Sequence, residues 1–373
     1  MHPRGLRWSQ ALDESPTIIG RIESPEVARG LGHGTVSRRH LELRWDAAEG
    51  RYWGRDLGSH NGSRVDGREL DVSRVPLSDG SILRLGDVCL VLERLEPGTE
   101  EAAIPPALLD TRTIPGSSPS TLALRRRIAE AAPRVEPVLL RGETGTGKQG
   151  VARELHRLGR PDGPWVAVPC ATLEPRSIEQ RLIGTPERPG ALWTTTGGTV
   201  LLDELAALPP SLQPALLRAL RGAPHRPAGH GAIPGDLRLV VTSVADLEQR
   251  VAEGLLSRDL HATLARTEIR VPPLRERRGD ALEWLERFHA AWLDEHPGHP
   301  GDPLTLSPRT ADALLRHDWP GNLDELRRLV DELASSPSLP RPITLDRLPA
   351  WLHRAVPPPS DPRETMPITP LPD

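Results

Sequence analysis

The rhythm of apolar and polar positions changes three times along the chain. Between residues 16 and 95 it is short and two-fold. Leu41, Leu43 and Trp45 alternate with Glu42 and Arg44, the spacing of a strand with one buried face. Apolar runs follow at Ile82-Leu83 and from Val88 to Leu92. Asn61-Gly62, Asp66-Gly67, Asp79-Gly80 and Gly86-Asp87 mark turns around them. This punctuation predicts an all-β sandwich over residues 10–95.

From residue 119 to 300 short apolar runs alternate with longer helical spacings. Val138-Leu139-Leu140, Val166-Ala167-Val168, Val200-Leu201-Leu202, Leu239-Val240-Val241 and Ile269-Arg270-Val271 read as strands. Val151, Leu155 and Leu158, and likewise Leu212, Leu216, Leu217 and Leu220, recur at helix spacing. The alternation predicts a parallel sheet covered by helices, an α/β domain. Residues 301–353 read as a small helical subdomain, broken at Trp319-Pro320-Gly321-Asn322 and from Pro337 to Pro342. Residues 96–118 are a Pro/Gly/Ser linker, and the Pro-rich tail, 354–373, is expected to be disordered.

Composition narrows the class. The chain has 373 residues, with 47 Lys plus Arg against 51 Asp plus Glu and a net charge of −4. That balance excludes a polybasic chain that holds nucleic acid by charge alone. Two cysteines, Cys89 and Cys170, cannot build a disulfide framework and lack metal-ligand spacing. No apolar run approaches a membrane span, and the opening Met1-His2-Pro3-Arg4-Gly5 has no apolar signal core. The expectation is a cytoplasmic multidomain protein without a membrane segment.

The first chemical motif is Gly142-Glu143-Thr144-Gly145-Thr146-Gly147-Lys148, which fits G-x-x-x-x-G-K between a predicted strand and a predicted helix. Glycines there let backbone N–H groups approach phosphate oxygens, and the helix N-terminus adds its dipole. Lys148 is placed for the β- and γ-phosphates of ATP. Gln149 stands where Ser or Thr usually meets Mg²⁺. Downstream, Val200-Leu201-Leu202-Asp203-Glu204 is an apolar strand ending in two carboxylates. Asp203 is expected to organise Mg²⁺ through water and Glu204 to polarise the attacking water.

Gly20-Arg21, Ser37-Arg38-Arg39-His40 and Gly58-Ser59-His60-Asn61-Gly62-Ser63 occur in that order in the sandwich. Together they resemble the forkhead-associated (FHA) domain. The resemblance implies phosphothreonine recognition by loops at one end of the sandwich. A phosphothreonine carries about −1.5 to −2 charges and three acceptor oxygens. Arg21 offers a forked guanidinium, Ser37 a hydroxyl, and Arg38 further donors. Asn61, with His60 beside it, is expected to bond the peptide backbone. The histidine matching His40 supports the loops and makes no contact with the ligand.

Residues 119–350 resemble the AAA+ domain of sigma-54-dependent transcription activators. The resemblance rests on the phosphate loop, Val166-Ala-Val-Pro-Cys170, Gly197-Gly-Thr-Val-Leu-Leu-Asp-Glu204, Pro272-Pro-Leu-Arg-Glu-Arg277 and Trp319-Pro-Gly-Asn322. It implies ring oligomers that hydrolyse ATP between subunits and remodel sigma-54 RNA polymerase. Several positions depart from the family pattern. Gly184 to Gly190 runs almost directly to Gly197, with no room for the sigma-54-touching Gly-Ala-Phe-Thr-Gly-Ala loop. Ser257 and Thr263 stand where two arginines reach a neighbour's ATP, a contribution of roughly 10³–10⁵ in rate. Gln149 replaces a common Glu, Pro169 a restraining Asn, Val244 a sensing Asn and Asp324 an Arg. No helix-turn-helix follows the helical subdomain, so direct DNA binding is not expected.

The leading expectation is a regulator that binds a phosphothreonine protein through the FHA module. Its AAA+ domain then holds ATP with weak or lost hydrolysis, in a homo- or hetero-oligomeric ring linked only indirectly to sigma-54 RNA polymerase. Two rivals stay open. One is an active ATPase regulating sigma-54-dependent transcription, with Arg258 or Arg266 as shifted fingers. The other is a phosphopeptide scaffold whose AAA+ domain is inert.

Overall fold

The computed structural model describes residues 12–22, 29–94, 113–185, 187–221, 236–299, 303–336 and 342–353. The linker as far as residue 112 and the tail from residue 354 lie outside them. The chain divides into two compact units. The first comprises Met1–Glu96, Leu274–Pro320 and Glu325–Asp373; the second comprises Pro97–Pro273 and Gly321–Asp324.

In the first unit the N-terminal part is a two-sheet sandwich. One sheet pairs β1 (Thr17–Gly20), β2 (Arg29–Gly30), β3 (Leu41–Asp46), β4 (Arg51–Asp56) and, across the order, β7 (Val75–Pro76), as β2-β1-β3-β4-β7. The other is β6-β5-β8-β9, built from β5 (Ser63–Val65), β6 (Arg68–Leu70), β8 (Ile82–Leu85) and β9 (Val88–Val91). The two-fold pattern is realised directly: Leu41 and Leu43 are buried with Ile19, Val65, Leu83 and Leu85 between the sheets. Asp66 and Gly67 both adopt positive φ (49° and 83°), the backbone a two-residue hairpin between β5 and β6 requires.

One buried histidine ties the loops at the end of this sandwich. His40 is fully buried, and its Nδ1 accepts the Ser37 N–H at 2.9 Å. Nε2 therefore carries the proton, facing the Gly62 carbonyl oxygen at 3.2 Å and Asp56 at 3.9 Å. Asp56 in turn accepts from the Ser59 N–H, the Ser59 hydroxyl and the Ser63 hydroxyl. The loop before β3 and the loop before β5 are thereby held to one imidazole.

The C-terminal part of this unit is helical. There α8 (Asp280–Glu295) buries Ala281, Leu285, Phe288 and Trp292 along one stripe. α9 (Pro308–Arg316) starts with Pro308 in its first turn and Ser307 as N-cap. α10 (Asn322–Ala334) and α11 (Ala350–His353) follow. The basic run Arg275, Arg277 and Arg278 reads in sequence as a solvated face or a subunit contact. Arg277 instead is 1% exposed, and burial pulls its guanidinium below the ordinary range, with Asp280 acting against that shift.

The second unit is a five-stranded all-parallel sheet. It is built from β10 (Val138–Arg141), β11 (Trp165–Pro169), β12 (Thr199–Asp203), β13 (Arg238–Ser243) and β14 (Glu268–Arg270), in the order β11-β12-β13-β10-β14. Its helices are α1 (Pro119–Ala131), α2 (Lys148–Gly159), α3 (Pro175–Leu182), α4 (Ala191–Thr194), α5 (Gln213–Leu220), α6 (Leu247–Ala252) and α7 (Arg258–Leu264). β10 sends Val138 and Leu140 into one core with α1 and α2, and Leu139 into the other with α3, α5 and α7. Both faces are covered, which is why the strands read as continuous apolar runs. Arg238 is wholly buried and donates to the carbonyls of Ala131, Ala132 (2.8 Å) and Leu155 (3.2 Å), near the ends of α1 and α2. Burial lowers its guanidinium to about 10. The chain leaves β10 for α2 where the strand order reverses, so the carboxyl ends of β10, β12 and β13 meet at one crevice.

The buried histidine makes sandwich stability depend on pH. Burial favours the neutral imidazole and lowers the His40 pKa from 6.5. The unfolded chain then binds more protons, so stability is full above pH ~6.5 and falls as pH drops through that value. Burial would raise the Asp56 pKa, but the hydrogen bonds from Ser63 and Ser59 outweigh it and hold it below 3.8, giving a second loss in stronger acid. Amide-exchange protection of β3 and β5 in the full chain, corrected for intrinsic rates, is expected to drop between pH 7.5 and 5.5. In His40→Asn that drop should flatten, and an unchanged slope in the variant would refute the assignment.

Candidate functional site

Two sets of loops carry the chemistry that the sequence singles out. The first lies at the end of the sandwich. Arg21 follows β1, is exposed, and donates from Nε to the Val36 carbonyl at 2.9 Å. Its backbone N–H bonds the Ser37 carbonyl at 2.9 Å. The Ser37 hydroxyl oxygen accepts the His60 N–H at 3.0 Å, and Asn61 Nδ2 donates to the Thr35 carbonyl at 2.8 Å. The fold thus brings Arg21, Ser37, His60 and Asn61 to one rim, with Arg38 exposed beside Ser37. Thr35 escaped the sequence reading. Its hydroxyl meets His33 Nδ1 at 2.8 Å and the Asp87 N–H at 3.0 Å, pinning the rim loop to the β8–β9 turn. A single threonine in a glycine-rich run gives no signal of that role.

The second set is the phosphate loop, Gly142 to Lys148, between β10 and α2. Gly145 and Gly147 have φ of 74° and 95°, and Gly147 opens α2 without a side-chain cap. A Cβ on Gly145 would lie 2.3 Å from the Gly321 carbonyl oxygen, so only glycine fits there. An uncapped helix start behind a left-handed glycine is a backbone cradle for phosphate. Lys148 is 8% exposed and donates from Nζ to the carbonyls of Gly142 and Glu143, each at 2.8 Å. Burial lowers its pKa, against the pull of Glu204, Asp203, Asp324 and Glu143.

Asn322 braces this loop from outside. It has a φ of 52°, is fully buried, and donates from Nδ2 to the Thr144 carbonyl at 3.0 Å and Glu143 Oε2 at 3.3 Å. The Leu323 N–H bonds the Gly145 carbonyl at 2.9 Å. The sequence marks Trp319-Pro-Gly-Asn322 as a break; its contact with the phosphate loop emerges only in the fold. Asp324 Oδ2 lies 3.0 Å from where a Gly145 Cβ would stand, so a carboxylate borders the cradle.

Asp203 ends β12 and Glu204 follows it, and the oxygens of both are engaged. Asp203 Oδ2 accepts from Gln149 Nε2 at 2.7 Å, and Oδ1 accepts from the Thr242 hydroxyl at 2.6 Å. The Thr242 oxygen accepts the Glu204 N–H at 2.8 Å. Glu204 has a φ of 64°, a left-handed backbone that costs of order 1–3 kcal/mol outside glycine. Its carboxylate lies at the end of β13, where the Val244 N–H donates to it at 3.1 Å, while the Ser243 hydroxyl has its shorter bond, 3.2 Å, to the Ala245 carbonyl. Among the described residues no group of three or more His, Cys, Asp or Glu is arranged to hold a metal ion. Cys170 is a buried small residue whose thiol burial pushes up to about 12.

The comparisons with known proteins follow this division. The family model for the FHA domain matches residues 17–86, that for the sigma-54 interaction domain 114–270, and that for the AAA+ ATPase lid domain 275–365. The Psp operon transcriptional activator of Escherichia coli is 35% identical over 58% of this chain and 69% of its own length. The acetoin catabolism regulatory protein of Cupriavidus necator is 33% identical over 86% of this chain and 48% of its own. The Nif-specific regulatory protein of Herbaspirillum seropedicae is 36% identical over 56% of this chain, which spans only 40% of it. Among solved structures, NtrX from Brucella abortus in complex with ADP superposes with a TM-score of 0.57 at 34% identity, covering 63% of this chain and 55% of that one. NtrX in complex with ATP matches equally, at 33% identity over 67% of this chain and 59% of that one. No described helix is long and apolar enough to cross a membrane. The chain belongs to the family of sigma-54-dependent transcriptional activators, and joins an FHA domain to that family's AAA+ and lid domains.

Proposed function

We propose that the chain is a cytoplasmic signalling and transcription-regulatory protein that reads a phosphothreonine partner with its FHA rim and holds ATP in its AAA+ core with weak or lost hydrolysis. One observation carries the second half. The phosphate cradle is complete, while Glu204 is bonded back onto β13 and the positions expected to carry finger arginines are spent inside α7. Ser257 caps that helix through the Leu260 N–H, and Thr263 Oγ1 donates to the Asp259 carbonyl. Neither hydroxyl replaces a guanidinium opposite a phosphoryl group. Pro169 pairs beside Asp203 in the β11–β12 register and offers no amide to Glu204.

ATP fits the residues present. Backbone N–H groups of Gly145 to Lys148 would hold the phosphates and Lys148 would add the cation; bound ATP supplies the scissile γ-phosphoryl bond. Glu204 is the residue that would orient water, and its carboxylate instead accepts the Val244 N–H. Mg²⁺ fits less well, because each Asp203 oxygen already accepts one protein hydrogen bond and keeps only one lone pair for a metal-bound water, and no step is routed through it. NtrX in complex with ATP supports the nucleotide reading by likeness.

The reading places no direct contact with sigma-54 on this chain. Where the resemblance implies the Gly-Ala-Phe-Thr-Gly-Ala insertion, residues 184–190 close on themselves. The Thr185 N–H bonds the Arg188 carbonyl at 2.8 Å, and Gly184 bridges to Pro189. Any influence on transcription then runs through a phosphorylated partner or a mixed AAA+ ring. A second reading, the active ATPase, draws on the exposure of Arg258 and Arg266, which leaves both guanidinia at the surface for a neighbouring copy.

Two measurements test these statements. ATP binding by the full chain should fall about tenfold or more in Lys148→Ala, the worth of charged hydrogen bonds to phosphate. Turnover should stay near background; brisk, Lys148-dependent hydrolysis lost on mutating Arg258 or Arg266 would establish the second reading instead. For the rim, capture of a phosphothreonine peptide library should drop about tenfold or more in Arg21→Ala and stay unchanged in Arg39→Ala. Equal capture of dephosphorylated peptides would overturn the phosphothreonine assignment.

A further inference from the structure

Asp203 is the only Asp or Glu at the end of β12 whose two oxygens are both taken by side chains of other elements. The donors have fixed direction. Gln149 meets Asp203 with its amide nitrogen, since its amide oxygen would repel the carboxylate. Thr242 has a single hydroxyl proton; because its oxygen accepts the Glu204 N–H, that proton goes to Asp203 Oδ1. The chain of bonds Glu204 N–H to Thr242 to Asp203, closed by Gln149, links β12 and β13 to the first turn of α2. Gln149 is the residue after Lys148, so its amide reaches Asp203 from the first turn of α2, beside the phosphate loop.

We propose that Gln149 is a latch that substitutes for a divalent cation at Asp203, so that this chain binds the nucleoside triphosphate with little dependence on Mg²⁺. The inference rests on the reading that the core holds ATP. Mg²⁺ at nucleotide sites is bound by one or two carboxylates together with the phosphates, and it dehydrates reluctantly. Here each oxygen of the carboxylate already accepts one short hydrogen bond, and one of the two comes from the Gln149 amide. A glutamate at the same place could not donate to Asp203. It would repel that carboxylate, free it from α2 and add a negative charge beside the cation's place. One residue therefore sets whether the site calls for a metal. Gln149 is exposed, so its substitution does not disturb a core.

The test is fluorescence titration of the full chain with a mant-labelled ATP, in excess MgCl₂ and in EDTA. The wild-type dissociation constant should change less than about threefold between the two, and Gln149→Glu should show about tenfold or greater weakening in EDTA. Gln149→Met, which removes the donor without adding charge, should fall between them. A wild-type loss larger than threefold in EDTA overturns the latch and leaves the ATP-holding reading standing. Metal-independent binding by Gln149→Glu also overturns it. Absence of binding in both buffers overturns the latch and the ATP reading together.

Discussion

The carboxylate of Asp203 is where the AAA+ core is joined to its chemistry. It accepts from α2 through Gln149 and from β13 through Thr242, and those two elements flank the strand that bears it. The same threonine holds the Glu204 backbone in a left-handed turn, which sets where the Glu204 carboxylate points. Hydrogen bonds to an ionised group are roughly twice as strong as neutral ones. A half-buried carboxylate with donors on both sides therefore ties three segments together. The Glu204 turn and the start of α2 are tied to each other through this arrangement.

The sandwich solves a similar problem with a neutral group. Burial favours the uncharged imidazole of His40, which bonds two loops by accepting on one nitrogen and donating on the other. Asp56, held ionised by serine donors, keeps the Nε2 proton oriented. The rim residues need no rigidity of their own. Arg21, Ser37, His60 and Asn61 are placed by backbone that this buried pair has already positioned.

Much of the architecture is legible in the sequence, because two-fold alternation and continuous apolar runs report burial directly. The strands at Val138-Leu140 and Val200-Leu202 and the turns at Asp66-Gly67 follow from that alone. The phosphate loop is legible too, since glycine spacing is itself the geometry. What escaped depends on strand order. Thr242 meets Asp203 only because β13 lies beside β12, and nothing local in Leu239-Val-Val-Thr-Ser243 marks that neighbour. Gln149 is visible as a departure from the motif, but where its amide goes depends on how α2 leaves the sheet. Arg277 reads as part of a solvated face or subunit contact, and nothing in the sequence singles out Arg238. They are buried because helix carbonyls or a nearby Asp280 converge on them, which no spacing rule records.

The charges around the crevice explain why a complete cradle need not be a catalyst. Lys148 faces the carboxylates of Glu204, Asp203, Asp324 and Glu143, so the local field opposes further negative charge. On the proposed reading a triphosphate is held by the neutral backbone N–H groups at the start of α2 together with Lys148. Those groups touch phosphate oxygens in the ground state and in the transition state alike, and uniform binding of that kind lowers a dissociation constant without raising a rate. Rate requires positive charge that matters most as the γ-phosphoryl group departs. At the positions expected to supply it this chain carries a helix cap at Ser257, a helix hydroxyl at Thr263 and a carboxylate at Asp324. Binding and turnover are therefore separable properties of the same loop, and on this reading the residues around it retain the first and have given up the second.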